Sequence, residues 1–254
     1  PEGWECIGLE DPDIWIDEAT GLTHVYFTIP IRPSNPEEKI RIHLGHAVGR
    51  DMYSLEMTEP VLLDNLRIGD IGASAKEVSI APVNSKGVRY NLIESRDREP
   101  EATYSIVRVA VAEDMGKPWE YGDVVFHPKE HNYPWIGGHA SPGPLFSKEF
   151  IDVGEGKLLG VINGREANQK IGDKIKYGMF SVGLFIYDYE HGKIDWVSPG
   201  PFIQDSEAKI ITFASQFVET GKGEGILYAH VDDSFVRAYT SIADKIKALL
   251  PELK

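Results

Sequence analysis

The feature that most constrains the fold is a block of short apolar segments, separated by Gly, Pro, Asn and Asp, that recurs four times along the 254 residues. Each block opens with an extended segment and returns, after a turn, as an apolar and aromatic strand. The opening segments are residues 11–14, 78–82, 141–146 and 211–215, and the return segments are residues 24–28, 88–94, 157–163 and 225–230. Short alternating segments between turn-forming residues are typical of β-strands. The sequence therefore predicts an all-β protein.

The repeat also predicts the architecture. Residues 40–62, 106–126 and 182–203 form matching second halves of the first three blocks. A repeat of about 65–70 residues suits a four-stranded propeller blade with long loops. A parallel α/β fold does not fit because no helices separate the strands. A β-sandwich is the main rival, although it would not explain the recurring half-blade.

We therefore predict one β-propeller domain over residues 1–254, with four blades evident and a first blade that is missing or shortened. A helical period appears only from about Ser234 to Leu250, where apolar residues fall on one face, and it predicts a C-terminal helix. An open propeller would leave an unpaired sheet edge. Either a segment upstream of residue 1 closes the ring or, if the chain is complete, we expect a neighbouring chain to cover that edge.

Composition excludes several classes of function. The net charge of −14 offers no basic face for nucleic acid, so a neutral, hydroxyl-rich ligand fits better. The single cysteine, Cys6, excludes an internal disulfide and a Cys-based zinc site. No apolar run approaches the length of a membrane span, and the first residues lack the pattern of a signal peptide. We expect a cytoplasmic protein without a metal or an organic cofactor.

The candidate chemistry begins at residues 8–17. Glu10 and Asp11 precede Pro12, which forbids a helix, and the alternating segment that follows predicts a strand. Carboxylates held at the end of a rigid strand are how many sugar-cleaving enzymes place a proton donor. The alternative is an ordinary Asp-Pro turn.

Five segments, in this order, resemble glycoside hydrolase family 130, whose members phosphorolyse or hydrolyse β-mannosides on a five-bladed propeller. Gly-Leu-Glu-Asp-Pro is similar to the family's Glu-Asp-Pro-Arg motif, and the last segment resembles its closing Tyr-Tyr-Gly-Ala-Ala-Asp. The segments are residues 8–12, 76–82, 136–144, 158–164 and 227–232. The resemblance implies a five-bladed propeller, with Asp11 as the general acid and Asp232 as a sugar ligand.

The chain departs from the family's phosphorylases at the phosphate site. Glu94 stands where they have an arginine, Asp13 replaces the arginine of the motif, and Lys76 remains as a cation. In the family's hydrolytic members an acidic residue occupies the first of these positions. The resemblance thus implies an inverting hydrolase with Asp11 as acid and Glu94 as base, which requires two carboxyl groups roughly 6.5–9.5 Å apart. A solvated Glu94 in a charged loop is the alternative for that residue.

Further substrate-binding candidates follow from the same model. They lie at predicted strand ends or in the resembling segments, and they are Glu10, Lys76, His139, Asn163, Arg165, Glu166, Tyr228 and Asp232. Glu166 is also the reserve candidate for the base. For His139 a local cap is the alternative, and Asp233 is expected to cap the final helix. Trp15, Tyr90, Trp135 and Tyr228 either stack on sugar rings or pack between blades.

The leading hypothesis is a glycosidase acting on a β-mannoside or a related oligosaccharide. Two alternatives stay open. One is a phosphorylase that binds inorganic phosphate through Lys76, Arg96 or Arg165. The other is a glycan-binding propeller without turnover.

Overall fold

The computed structural model describes residues 4–35, 37–64, 71–99, 102–172 and 174–252, apart from the side chains of residues 71–73. Strands dominate this part of the chain, which confirms the all-β prediction. The chain forms two compact units. The first contains the described residues up to Thr103 together with Arg108–Asp123, and the second contains Tyr104–Val107 and the described residues from Val124 onward.

The first unit opens with an antiparallel sheet. Its strands are β1 (Glu5–Cys6), β2 (Glu10–Asp17), β3 (Leu22–Arg32), β4 (Arg41–Gly49) and β5 (Glu56–Met57). The order is β1-β3-β4-β5, and β2 pairs with β3 beyond the end of β1. The next four strands are β6 (Ile71–Ser79), β7 (Arg89–Arg98), β8 (Thr103–Ala112) and β9 (Glu120–Phe126). Strand β7 pairs with both β6 and β8, and β8 also pairs with β9.

The second unit contains two further sheets and a hairpin. The first sheet consists of β10 (His139–Leu145), β11 (Lys157–Arg165), β14 (Phe180–Asp188) and β15 (Lys193–Val197), paired in that order. Between β11 and β14 lies a separate hairpin of β12 (Gln169–Ile171) and β13 (Lys174–Lys176). The last sheet has β16 (Thr212–Gly221), β17 (Glu224–Val231) and β18 (Phe235–Ile242), followed by α1 (Ala243–Lys247).

Each of the opening strands β2, β6, β10 and β16 has a β-bulge, where its register against the neighbouring return strand shifts. The predicted opening and return segments fall in or beside these strands, so the repeat seen in the sequence is a structural repeat. At two of the bulges a non-glycine residue has a positive φ, 49° at Asp11 and 48° at Glu77. Bulges redirect side chains and are common beside active sites.

The C-terminal helix is confirmed, but its predicted start is wrong. Residues from Phe235 to Ile242 form β18 and pair one for one with β17, and α1 covers only Ala243–Lys247. From Val236 onward, exposed residues alternate with residues that are half-buried or buried, up to Ser241, which is the pattern of a sheet with one covered face. The available strand edge of β17 therefore decides the conformation.

Each unit has its own core. In the first, Tyr26 is fully buried, its hydroxyl donates to the carbonyl of Met115 at 3.0 Å, and its ring lies 5.1 Å from that of Trp119. In the second, Phe146 and Leu159 pack with residues of β14, β16 and β17. No helix in the described ranges is long and apolar enough to cross a membrane.

Candidate active site

The bulges of β2 and β6 bring together carboxylates that lie far apart in sequence. Asp11 lies in the bulge between the pairs Glu10–Thr28 and Asp13–Tyr26, and its left-handed backbone is one that Asp tolerates better than most residues. The carboxylate of Asp13 accepts a hydrogen bond of 2.9 Å from the backbone N–H of Val78. This bond joins the start of one predicted blade to the next.

Lys76 lies at the centre of the cluster. Its Nζ is 3.0 Å from Oδ2 of Asp11 and 3.7 Å from Oε1 of Glu77, and its backbone pairs with that of Glu94. Burial by itself lowers the pKa of Lys76, but the carboxylates of Glu94, Glu77 and Asp11 outweigh burial and raise it. The lysine is therefore charged, and it holds the carboxylates near one another.

Two carboxyl groups of the cluster favour the protonated form. Burial raises the pKa of Asp13 to about 7, against the effect of the Val78 hydrogen bond, and the charge of Asp11 adds to the rise. Burial, followed by the charge of Asp13, also raises the pKa of Glu77 well above its ordinary value. The cluster consequently contains proton donors at neutral pH beside the ion-paired carboxylate of Asp11.

Asp13 and Glu77 were not among the predicted site residues. The sequence did contain a signal, because Asp13 stands at the arginine position of the resembling motif and Glu77 lies in the second resembling segment. Their proximity depends on the contact between β2 and β6, which no local pattern encodes.

Glu94 is 4% exposed and lies within β7, so the alternative of a solvated residue in a charged loop is wrong. Nearby, the Nε of Arg96 donates to Oγ of Ser74 at 3.1 Å, and its Nη2 lies 3.8 Å from the buried carboxylate of Asp64. Arg96 is thus engaged with other side chains of its unit. Glu10 is exposed on β2.

Three predicted residues of the second unit gather at the ends of β10 and β11. His139 pairs with Arg165 across these strands, and both side chains contact the ring of Phe180. The ring centroids of His139 and Phe180 are 4.9 Å apart, and the guanidinium carbon of Arg165 lies 5.5 Å from the Phe180 centroid. Asn163 is fully buried. Its amide donates to the carbonyl of Ala214 at 2.9 Å and accepts from the N–H of the same residue at 2.8 Å. These bonds give Asn163 a structural role that ties β11 to β16.

Glu166 lines a cavity of about 320 Å³ together with Trp135, Ser181 and Gln204. Its Oε2 accepts from the backbone N–H of Met179 at 3.3 Å. Trp135 is buried, and its ring covers Gly183. Of the two roles expected for this aromatic, these contacts favour packing within the protein over stacking on a sugar ring.

The last predicted residues lie on β17 and in the turn that follows it. Tyr228 is half-buried and pairs with Gln216 and Ala238. The carboxylate of Asp232 accepts hydrogen bonds of 2.8–2.9 Å from three consecutive backbone N–H groups, those of residues 209–211, and these bonds lower its pKa.

Asp233 does not cap the final helix, so that prediction is wrong. It lies in the β17–β18 turn, because the residues after it form a strand. Its φ is 51°, and its Oδ1 lies 3.1 Å from Nδ1 of His230. Across the described ranges, no group of three or more His, Cys, Asp or Glu side chains is arranged to hold a metal ion.

Sequence comparisons identify no relative: no model of a protein family matches the chain, and no curated protein matches it either. Comparison with solved structures gives clear likenesses. An α-L-arabinofuranosidase from Lactobacillus brevis is 10% identical, with a TM-score of 0.56 over 96% of this chain and 74% of that one. A family 117 glycoside hydrolase from Zobellia galactanivorans is 16% identical, with a TM-score of 0.53 over 92% and 70%.

The fold is that of the propeller glycosidases. The likeness extends to another kind of enzyme, a GDP-Man-dependent mannosyltransferase from Leishmania mexicana, which is 11% identical with a TM-score of 0.53 over 92% of this chain and 68% of that one. At these identities the comparisons establish the fold, and the function must be argued from the site.

Proposed function

We propose that the protein is a glycoside hydrolase whose catalytic centre is the carboxylate cluster of Asp11, Asp13, Lys76, Glu77 and Glu94. The observation that carries this proposal is the combination of protonated and ion-paired carboxyl groups within one cluster. Glycoside hydrolysis requires one carboxyl group that donates a proton and another that accepts one. Environments that push the pKa values of neighbouring carboxyl groups apart supply these two states at a single pH.

Within this centre we assign the acid to Asp11, which would pass to the sugar a proton that it takes up from Asp13 or Glu77, and the base to Glu94. The side chain of Asp11 is 36% exposed, and that of Lys76 beside it is 34% exposed. Asp11 is therefore accessible to a sugar. Asp13 and Glu77 hold protons next to it and are the reserve donors. We assign to Glu94, on the return strand opposite Lys76, the activation of water for an inverting displacement.

Charge favours water over phosphate as the nucleophile. The cluster has four carboxyl groups and a single ammonium group, and Arg96 is engaged with Asp64 and Ser74. A phosphate anion entering such a site would be repelled by any ionised carboxylate. The resemblance to family 130 favours a β-mannoside as substrate, and the mannosyltransferase with the same fold agrees with a mannose-containing ligand.

The test is sugar release from a panel of β-manno-oligosaccharides, arabinosides and other oligosaccharides, with and without inorganic phosphate. We expect free sugar without phosphate from the wild type, and a loss of at least about 100-fold in Asp11→Asn and in Glu94→Gln. Asp17→Asn, which alters a half-buried aspartate at the far end of the same strand, is the matched control and should retain activity.

Three results would contradict parts of the proposal. Sugar 1-phosphate formed only with phosphate would identify a phosphorylase. Full activity in Asp11→Asn together with loss in Asp13→Asn would move the acid to Asp13. Binding of an oligosaccharide by calorimetry, with no product under any condition, would indicate a glycan-binding propeller.

A further inference from the structure

Two histidines of the first unit, His24 on β3 and His46 on β4, form a buried pair. The two residues are 7% and 0% exposed. Nδ1 of His24 lies 2.9 Å from Nε2 of His46, and the rings stack with their centroids 5.1 Å apart. A hydrogen bond between two ring nitrogens requires one proton, and only one, between them. A single shared proton therefore joins the two imidazoles.

The neighbouring Thr58 assigns the direction of this bond. Its hydroxyl lies 2.8 Å from Nδ1 of His46 and donates to the carbonyl of Glu59 at 2.9 Å. Because a hydroxyl has one proton to donate, Thr58 accepts from Nδ1 of His46. Nε2 of His46 in turn accepts from Nδ1 of His24. Both imidazoles are neutral in this arrangement, and the chain of bonds ties β3 and β4 to the residues that follow β5.

The histidine pair can take up one additional proton but not two. Protonation of His24 at Nε2 leaves the bond intact, since Nδ1 still donates to His46. Protonation of His46 as well places an N–H group on each of the two facing nitrogens, so the bond must break. In the unfolded chain the two rings are independent, and each binds a proton.

Aromatic side chains enclose the pair. The ring centroid of Trp15 on β2 lies 5.1 Å from that of His24, and the ring centroid of Tyr26 on β3 lies 4.9 Å from that of His46. Burial raises the pKa of Tyr26, so its hydroxyl stays neutral in acid. These side chains therefore contribute no negative charge to stabilise a protonated histidine.

Three charged groups face the pair from other elements. The carboxylates of Asp17 on β2 and Asp114 after β8 favour a proton on the pair, whereas the guanidinium of Arg89 on β7 disfavours a proton on His24. Asp17 also accepts a hydrogen bond of 2.6 Å from the hydroxyl of Thr20. Asp114 also binds Nζ of Lys117 at 3.0 Å. Both carboxylates are thus held by other groups.

We propose that the His24–His46 pair is an acid-sensitive switch, in which a second proton separates the two rings and releases residues 56–62 from β4. We expect this segment to open first, because β5 within it has two residues, both exposed. Its bonds to β4 include one of 3.0 Å from the N–H of Thr58 to the carbonyl of His46. The inference concerns the response of the first unit to pH and does not depend on the proposed enzymatic activity.

Proton linkage gives the direction and the size of the effect. Burial lowers the pKa of both histidines, and for His46, where the charge of His24 adds to it, the pKa falls from 6.5 to about 4. Above pH 6.5 the pair is neutral in the closed and the open form. As the pH falls from 6.5 to 4, the open form binds more protons, so opening becomes more favourable. For His46 alone the opening equilibrium changes by up to about 300-fold.

The direct test is an NMR titration of the whole chain, labelled with ¹⁵N-histidine, from pH 8 to pH 4. The single variants His24→Gln and His46→Gln assign the signals. At pH 8 we expect both rings to carry their proton on Nδ1 and none on Nε2. During the titration we expect a pKa below 6.5 for both histidines. This measurement on the wild type remains valid even if a variant fails to fold.

Hydrogen exchange at pH 8 and pH 4.5, corrected for the intrinsic effect of pH on exchange, locates the opening. We expect residues 56–62 to lose protection at least about tenfold more than β11 of the second unit. The double variant His24→Gln/His46→Gln should not show this acid response. Its matched control is His191→Gln, which replaces an exposed histidine of the second unit and should respond as the wild type does.

The raised pKa of Asp13 acts in the opposite direction over this pH range, so the comparison between variants carries the test. A pKa of about 6.5 for both histidines, or a proton on Nε2 of both rings at pH 8, would overturn the proposal. So would equal protection of residues 56–62 at the two pH values, or an acid response that persists in the folded double variant.

Discussion

Replacing Asp13 by asparagine should stabilise the protein at alkaline pH and have little effect at acidic pH. Asparagine keeps an oxygen that can accept the N–H of Val78, but it removes a carboxyl group that is costly to ionise in its buried position. The change therefore isolates the cost of the charge.

The magnitude follows from the pKa of Asp13, which rises from 3.8 to about 7 on folding. Below pH 4 the group is protonated in both states and contributes no difference. Between pH 4 and pH 7 only the unfolded chain loses the proton, so the free energy of unfolding of the wild type falls as the pH rises. Three pKa units correspond to about 4 kcal/mol, which is the largest stabilisation expected for the variant near pH 8.

The assay is urea unfolding followed by tryptophan fluorescence at about pH 4, 6 and 8, with the free energy extrapolated to water. The matched control is Asp17→Asn in the same strand. A hydrogen bond from Thr20 lowers the pKa of Asp17, so this variant should lose stability at pH 8 instead of gaining it. A difference between wild type and Asp13→Asn that does not grow with pH would refute the argument, as would a variant that is less stable at pH 8.

Two further predictions concern packing and a turn. Gly183→Ala should lower the free energy of unfolding by about 1–3 kcal/mol, because a Cβ there would lie 2.2 Å from the ring of Trp135. Gly200→Ala has open space and is its control, so equal stability of the two variants in urea would contradict the packing argument. Asp232→Asn should lower the melting temperature at neutral pH, where the carboxylate binds three N–H groups. Because these bonds lower its pKa, the wild type loses this advantage as the pH falls below about 4. Asp233→Asn is the matched control, and an undiminished effect of Asp232→Asn at about pH 2 would exclude a contribution from its charge.

The candidate site could be predicted only in part. Asp11, Lys76 and Glu94 were singled out from the resemblance, and the structure places them in one cluster. Asp13 and Glu77 were missed because their raised pKa values come from burial between strands that are distant in sequence. For Asn163 and Asp232 the residues were selected, but their hydrogen bonds to backbone groups give them structural roles that the sequence does not reveal.

The sequence by itself determined the all-β class, the repeat and the positions of most strands. These depend on alternation and turn chemistry, which act over a few residues and can be read locally. Tertiary structure decided where the final helix begins, since the residues from Phe235 to Ile242 pair with β17. It also decided which carboxyl groups keep their protons, because desolvation and the field of neighbouring charges exist only once β2 and β6 lie side by side.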